Sequence, residues 1–517
     1  MSAIITDQFR LENTTNFVKS FDDPENSYYI FVGLSNPNQV GFGRSENWNT
    51  NIPNPIDNLA YQYHFRDTSM FGKRVTSSNI RRVIRRNDWV KNTRYEMYRH
   101  DYSIDNPSPV TQSTRLYDAN YYIMNSEYSV YICIDSGASG INTLGNNSLD
   151  EPKFTDLDPS RAGVSEDGYL WKYLFTVSPS DIIKFDSTEY IAIPPNWDTS
   201  TNTQIQSIRE NGDSSISGNQ IKKVYIESPG SGYTPGTHEL DIIGDGTGGK
   251  VVIEVDDVTT AITSVVVSSG GSGYTFALVD LGPISPALGG VAAKLIPIIP
   301  PARGHGDDIY KELGADRVLL YARFDDSTKD FPTDTKYSQI GIIKNPKIIG
   351  SGNTYTDGEF SSLYGIKFSS VSGSVEVGDI IRQNTSAGEL ARGYVCSYDS
   401  ETKVLKYYVD RSLYYNPVDL DETDYIGIST NGKYVEFEST TTPVTTIGGF
   451  NGIIDVSYVG ITTVIGTKIL NLGTQFSNGL AYPEINKSSG ELLYLDSRPS
   501  VSRNPKQKED IKIILEF

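Results

Sequence analysis

The sequence predicts a mainly β protein, and three observations carry that prediction. The chain holds 34 Tyr and 46 Gly in 517 residues, with Ser, Thr, Val and Ile throughout. β-Branched and aromatic side chains suit a pleated surface, and glycine suits the turns between strands. The closing stretch EDIKIILEF alternates Ile511, Ile513, Leu515 and Phe517 with Lys512, Ile514 and Glu516, which is the period of a strand with one buried face. Finally, IKKVYIESPGSGYT from Ile221 returns as ITSVVVSSGGSGYT from Ile262, and the same offset of 41 relates Gly248-Gly249 to Gly289-Gly290. Two copies are too few for a solenoid, so a small pseudo-symmetric β module is expected. A buried strand at the end of so long a chain pairs with segments far away in sequence. The expected architecture is therefore a β core with few short helices, interrupted by two inserted small β modules.

In chain order, residues 5–18 have loose helical spacing, and Tyr28 to Val32 form a continuous apolar run expected as a buried strand. Residues 41–58 read as a turn-rich loop carrying Trp48. Residues 77–89 (SSNIRRVIRRNDW) give the best helix candidate, with Ser or Asn able to cap it. Residues 121–135 read as two strands separated by Asn125-Ser126-Glu127. In EDGYLWKYLFTVSP, from Glu166, both faces carry large apolar residues, which predicts a central strand. EYIAIPPNW gives another strand, ended by its prolines. Residues 300–324 read as a short helix and then a strand, and YSQIGIIKNP as the next strand. EVGDIIRQNTSAGELARGYVCSYDSETKVLKYYVD has the strand–turn–strand rhythm of consecutive hairpins in a small barrel.

Charge and cysteine content narrow the function. The formal net charge is −19, from 64 acidic and 45 basic residues. Nucleic-acid binding needs phosphate neutralisation, so this balance argues against it. No stretch approaches the roughly 18 apolar residues of a membrane span, and the first residues lack the apolar run of a signal peptide. Cys133 and Cys396 do not make a disulfide framework and are expected as reduced thiols of a protein that folds in a cytosol.

Several local patterns invite a chemical reading. Asp135-Ser136-Gly137 after an apolar strand is how an aspartic protease presents a carboxylate. That chemistry needs two Asp sharing a proton, and the sequence holds no second Asp-Ser/Thr-Gly. A strand ending in a turn is the favoured reading. Gly304-His305-Gly306-Asp307-Asp308 sets a histidine beside two carboxylates, but a metal needs three or four converging ligands. A loop whose Asp caps the next helix is favoured. Gly244-Asp245-Gly246-Thr247-Gly248-Gly249 lacks the Lys-Ser/Thr of a phosphate loop and reads as a hairpin turn. Arg81, Arg82, Arg85 and Arg86 call for acidic partners, on this chain or on a neighbouring subunit. Tyr61, Tyr63, Tyr121 and Tyr122 are expected in a core or an interface. No nucleophile, base and oxyanion hole compose. The expectation is a non-enzyme with no catalytic, cofactor-binding or metal-binding residues and no cofactor.

Five stretches then resemble one family in order: GRSENW (43–48), IRRNDWVKNTRY, EDGYLWKYLF followed by EYIAIP, QIGIIKNP, and SGELLYLDSRP with EDIKIILEF. They are similar to the baseplate wedge subunits encoded by gene eight of T-even-type contractile-tailed phages, in the long cyanophage-like form. The resemblance implies a layered antiparallel β-sandwich core. It places that core in residues 1–205, 301–346 and 476–517, with a repeat module at 206–300 and a barrel-like module at 347–475 inserted. It further implies a homodimer in the tail baseplate of the virion, assembled in the host cytoplasm. The partners would be other wedge subunits, the products of genes six, seven and ten, with neither nucleic acid nor membrane. The alternative role is a host-surface carbohydrate-binding module carried by the GSGYT repeats.

Overall fold

A computed structural model describes residues 6–35, 48, 51–212, 220–325, 335–410, 434–502 and 507–517. The described chain is mainly β. Its strands form antiparallel sheets, one of them closed into a barrel, and its helices are few and short. The chain divides into two compact units, Met1–Val18 with Arg81–Leu319 and Ile514–Phe517, and Lys19–Ile80 with Leu320–Ile513. Apart from Trp48, the GRSENW stretch lies outside the described residues.

In the first unit, Tyr122–Met124, Ser129–Ser136 and Tyr169–Thr176 form a three-stranded sheet in that order. The Asn125 side-chain oxygen folds the turn between the first two by accepting the N–H groups of Glu127 (2.9 Å) and Ser129 (2.8 Å). Trp171 stacks on Tyr169 with ring centroids 5.3 Å apart and meets Tyr95 edge-on. The strand Tyr169–Thr176 is at the sheet's edge, not its centre as expected. Both of its faces are buried, but apolar side chains on two faces report burial rather than neighbours in the sheet. Its outer edge is covered by Ser160, which exchanges two backbone hydrogen bonds with Trp171 (2.8 and 2.9 Å).

The helix expected over 77–89 is also corrected. Residues Ile80–Arg85 form a strand, with Val83 and Ile84 opposite Ala192 and Ile191. Ile80, Val83 and Ile84 are β-branched and lose side-chain freedom in a helix. A helix would also crowd four guanidinium groups, whereas a strand sends successive side chains to opposite faces.

The repeat folds as one module in which each copy completes the other. The first copy supplies strands Val224–Ser228, Gly236–Gly244 and Thr247–Val255, and the second supplies Ile262–Ser272, Ala277–Val279 and Lys294–Pro297. The first strand of each copy pairs with the third strand of the other, and the two middle strands pair together. Ser228 faces Lys294 and Ile226 faces Leu295; equivalently, Ser269 faces Lys250 and Val267 faces Val251. The register slips at this same step in both pairs. The third strands are thus related by 44 residues (Lys250 and Lys294) rather than by 41, so the Gly-Gly match does not mark equivalent positions there. Tyr233 and Tyr274 both lie buried in the shared core with Val251, Ile253 and Ile262.

In the second unit, a five-stranded sheet runs Glu359–Ser361, Ser69–Val75, Tyr28–Gly33, Lys336–Lys344, Glu491–Ser502. Tyr28–Gly33 is its central strand and is buried throughout. One row across the sheet reads Phe360, Gly72, Phe31, Gly341, Leu495. A Cβ on Gly72 would lie 2.3 Å from the Phe360 ring, and one on Gly341 2.4 Å from the Phe31 ring. These glycines make room for rings, which is why QIGIIKNP carries one in mid-strand.

The hairpin-rich stretch closes into a barrel of six antiparallel strands among the described residues. Their order is Tyr364–Ser372, Val404–Tyr408, Leu390–Asp399, Ile380–Asn384, Val444–Thr445, Asn451–Ile454 and back to the first. Ile366, Phe368, Ile381, Val395, Leu405 and Phe450 fill its core. The expected loop after Tyr398 is held by Asp399, which accepts the Glu401 N–H (2.9 Å) and the Thr402 hydroxyl (2.7 Å).

The closing strand spans Glu509–Glu516 and neighbours Arg317–Phe324. Ile511 and Ile513 are buried, whereas Leu515 and Phe517 are half-buried. Phe517 packs its ring against Phe17 (5.1 Å between centroids). Asp510 receives a two-pronged bond from Arg323 (2.7 and 2.9 Å).

Candidate functional sites

Each sequence candidate resolves into a local structural role. Asp135 ends the strand Ser129–Ser136. One oxygen accepts the Gly137 N–H (2.9 Å), and the other sits 2.6 Å from the Lys223 ammonium. A carboxylate held by a lysine and its own turn is an anchor for the segment that enters the repeat module. The nearby Cys133 thiol is fully buried, and burial pushes its pKa far up, so it is held as an unreactive thiol.

His305 also belongs to a closed arrangement. Its Nδ1 lies 2.5 Å from Glu312, whose other oxygen accepts the Gly306 N–H at 2.7 Å. Tyr98 meets the imidazole edge-on at 4.8 Å. Asp308 caps the short helix Ile309–Glu312 by accepting the Lys311 N–H, as expected. Among the described residues no group of three His, Cys, Asp or Glu converges as a metal would need.

The arginine row finds its acidic partners on its own chain. Arg81 Nε donates to Asp181 (3.0 Å), and Arg86 donates to Asp88 and Asp186 (2.9 Å each). Arg82 instead lies 4.0 Å over the Tyr310 ring, where guanidinium stacks well. Tyr121 and Tyr122 are core residues, and Tyr61 and Tyr63 are half-buried on the helix Leu59–Asp67, which the sequence reading missed. Its signal was Asn58, whose side chain caps it by accepting the Tyr61 N–H.

The glycine-rich segment from Gly244 turns the hairpin between Gly236–Gly244 and Thr247–Val255, as expected. Asp245 reaches across to the second copy, accepting the N–H groups of Thr275 (2.8 Å) and Phe276 (3.0 Å). The Thr275 hydroxyl and these amides pull its carboxyl down to about 2. Tyr274 donates its hydroxyl to the Ile242 carbonyl (2.9 Å) and accepts the Gly249 N–H (3.1 Å), and Tyr233 accepts the Ala293 N–H (2.6 Å). Both tyrosines reach the opposite copy and are 2% exposed, so neither offers a ring face to a sugar.

Two lysines, Lys172 buried and Lys487 half-buried, were not singled out in the sequence. Lys487 donates to the carbonyls of Asp67 (2.8 Å) and Ser69 (3.2 Å), and burial lowers its pKa. Nearby, His64 lies 3.3 Å from Asp410 with both side chains buried. Lys172 sits in mid-strand within YLWKYLF, and a lysine inside an apolar run was the available signal.

No family model matches the chain. Among characterised proteins, 216 residues are 28% identical to the baseplate wedge protein gp8 of Enterobacteria phage T4. The chain is a distant relative of that baseplate wedge protein. The matched stretch is 37% of this chain and 60% of the T4 protein. The chain therefore spans less than two thirds of its relative's length, and most of the chain lies outside the match. The resemblance carried by EDGYLWKYLF, QIGIIKNP and SGELLYLDSRP points to this same family.

Proposed function

We propose that this chain is a structural subunit of a phage tail baseplate wedge. The observation that carries the reading is the 28% identity to the T4 wedge protein over 216 residues. The candidate carboxylates, histidine and arginines being engaged in internal anchors is in keeping with an architectural role. On this reading the chain forms a homodimer, links neighbouring wedge subunits, and resides in the tail baseplate of the virion after assembly in the host cytoplasm. The core would be written in residues 1–205, 301–346 and 476–517. The repeat module and the barrel, which fall within 206–300 and 347–475, would be insertions into it.

Coexpression with the other wedge proteins of the same phage tests this directly. The expected result is a stable complex on sedimentation that contains two copies of this chain. A monomer that enters no complex with any of them would remove the reading. The carbohydrate-binding alternative drew on the GSGYT tyrosines, and their burial takes away that support.

A further inference from the structure

Lys172 lies in the middle of the strand Tyr169–Thr176 and is 3% exposed. A buried ammonium ordinarily needs a carboxylate beside it. Lys172 has neutral partners instead. Its Nζ donates to the Leu157 carbonyl (2.7 Å) and to Asn211 Oδ1 (2.9 Å). No carboxylate among the described residues stands within ion-pair distance of it. Asn211, near the end of the helix Thr203–Gly212, gives its other amide atom to Asp158, with Nδ2 donating to Oδ1 at 3.2 Å. An amine touches one end of a carboxamide, and a carboxylate touches the nitrogen at the other end.

We propose that Lys172 and Asn211 join in an intramolecular isopeptide bond. The neutral Nζ attacks Cγ of Asn211, and the Cγ–Nδ2 bond breaks. The proton shed by the attacking nitrogen passes within the tetrahedral intermediate to Nδ2, whose N–H the Asp158 carboxylate holds, and Nδ2 leaves as ammonia. One amide is lost and one is formed, with no oxidation or reduction. Holding the amine and carboxamide in contact replaces a bimolecular encounter, and a carboxylate on the leaving nitrogen is placed for general acid–base work. Burial lowers the Lys172 pKa to about 8, against the charges of Glu312 and Asp158, so about a tenth of the amine is neutral at pH 7 and about half at pH 8. The bond would strap a strand of the aromatic core to the helix that leads into the repeat module.

The test is the intact mass of the full-length chain under denaturing conditions, after incubation at pH 8. The expected mass is lower than the sequence mass by one ammonia, and digestion should yield one branched peptide holding residues 172 and 211. Lys172→Arg keeps the cation but not the reactive amine, and Asn211→Ala removes the electrophile, so each should show its full sequence mass. Asp158→Asn should slow the loss of ammonia in a folded chain. A wild-type chain that is folded by circular dichroism yet keeps its full mass overturns the proposal. Ammonia loss that persists in Lys172→Arg also overturns it, because the Asn211-Gly212 backbone would then be the nucleophile.

Discussion

The repeat module and the barrel are both small antiparallel β structures, and they solve the problem of free sheet edges differently. The barrel returns to its first strand, so its ring of hydrogen bonds needs no other support. The module's four-stranded and two-stranded sheets remain open. What holds them together is reciprocal: each copy pairs its first strand with the other's third, and each copy's tyrosine hydroxyl reaches the other's backbone. Stability should therefore reside in packed volume in the barrel, and in a few turn contacts in the module.

The largest expected effect is in the barrel. Phe368 is fully buried and packs edge-on against Phe450. Phe368→Ala should cost about 3–5 kcal/mol in denaturant unfolding, the usual range for an emptied aromatic site. A cost below about 1 kcal/mol would mean the ring is not what fills the barrel.

The module should instead be sensitive at its glycines. Gly230 and Gly271 occupy equivalent positions, with φ of 63° and 60°. A Cβ would lie 2.6 Å from Val291 O in one and 2.6 Å from Thr247 O in the other. Gly230→Ala and Gly271→Ala should each cost about 2–3 kcal/mol, because left-handed strain and a backbone clash combine. Gly248→Ala, also at positive φ but with nothing within 4 Å, should cost only about 1–2 kcal/mol. Equal effects at all three would show that conformation alone matters and that the reciprocal packing does not.

The tyrosine hydroxyls come next. Tyr274→Phe strands a buried N–H and a carbonyl, and should cost about 1–3 kcal/mol; Tyr233→Phe strands one N–H and should cost about 1 kcal/mol. Reversed order in thermal unfolding would break the assignment. The smallest effect is acidic. The Asp245 carboxyl is lowered to about 2 in the folded chain. Its support for the turn is thus complete above the ordinary carboxylate range near 4 and fades as pH falls through about 2. Protection from hydrogen exchange at Thr275 and Phe276, relative to the intrinsic rate at each pH, should fall over that window and not above it. Unchanged protection at pH 2 would show that the amides are held by something else.

This contrast also marks what the sequence made legible. The repeat was visible because the GSGYT turns need glycine at fixed places, and those turns proved to be the contacts between copies. The slip from 41 to 44 residues was hidden, since two Gly-Gly pairs matched at the wrong register. The barrel's hairpins were visible from their polar turns, but ring closure joins Tyr364–Ser372 to strands on both sides and leaves no local mark. Arg81 and Arg82 misled because the capping residues before them drew a helix reading, whereas the β-branched residues beside them favour the strand, in which Arg81 meets Asp181 and Arg82 meets Tyr310. The Asp135 and His305 anchors depended on Lys223 and Glu312, and Lys223 is remote in sequence. Lys172 was legible as an oddity, but its partners Leu157 and Asn211 emerge only from the fold.

The most direct test of the architectural account is cross-linking mass spectrometry on intact, purified phage particles. The account predicts that this chain is present in the tail and cross-links to baseplate wedge proteins, with the repeat module and the barrel yielding links of their own. Its absence from particles, or links only to proteins outside the tail, would contradict the account.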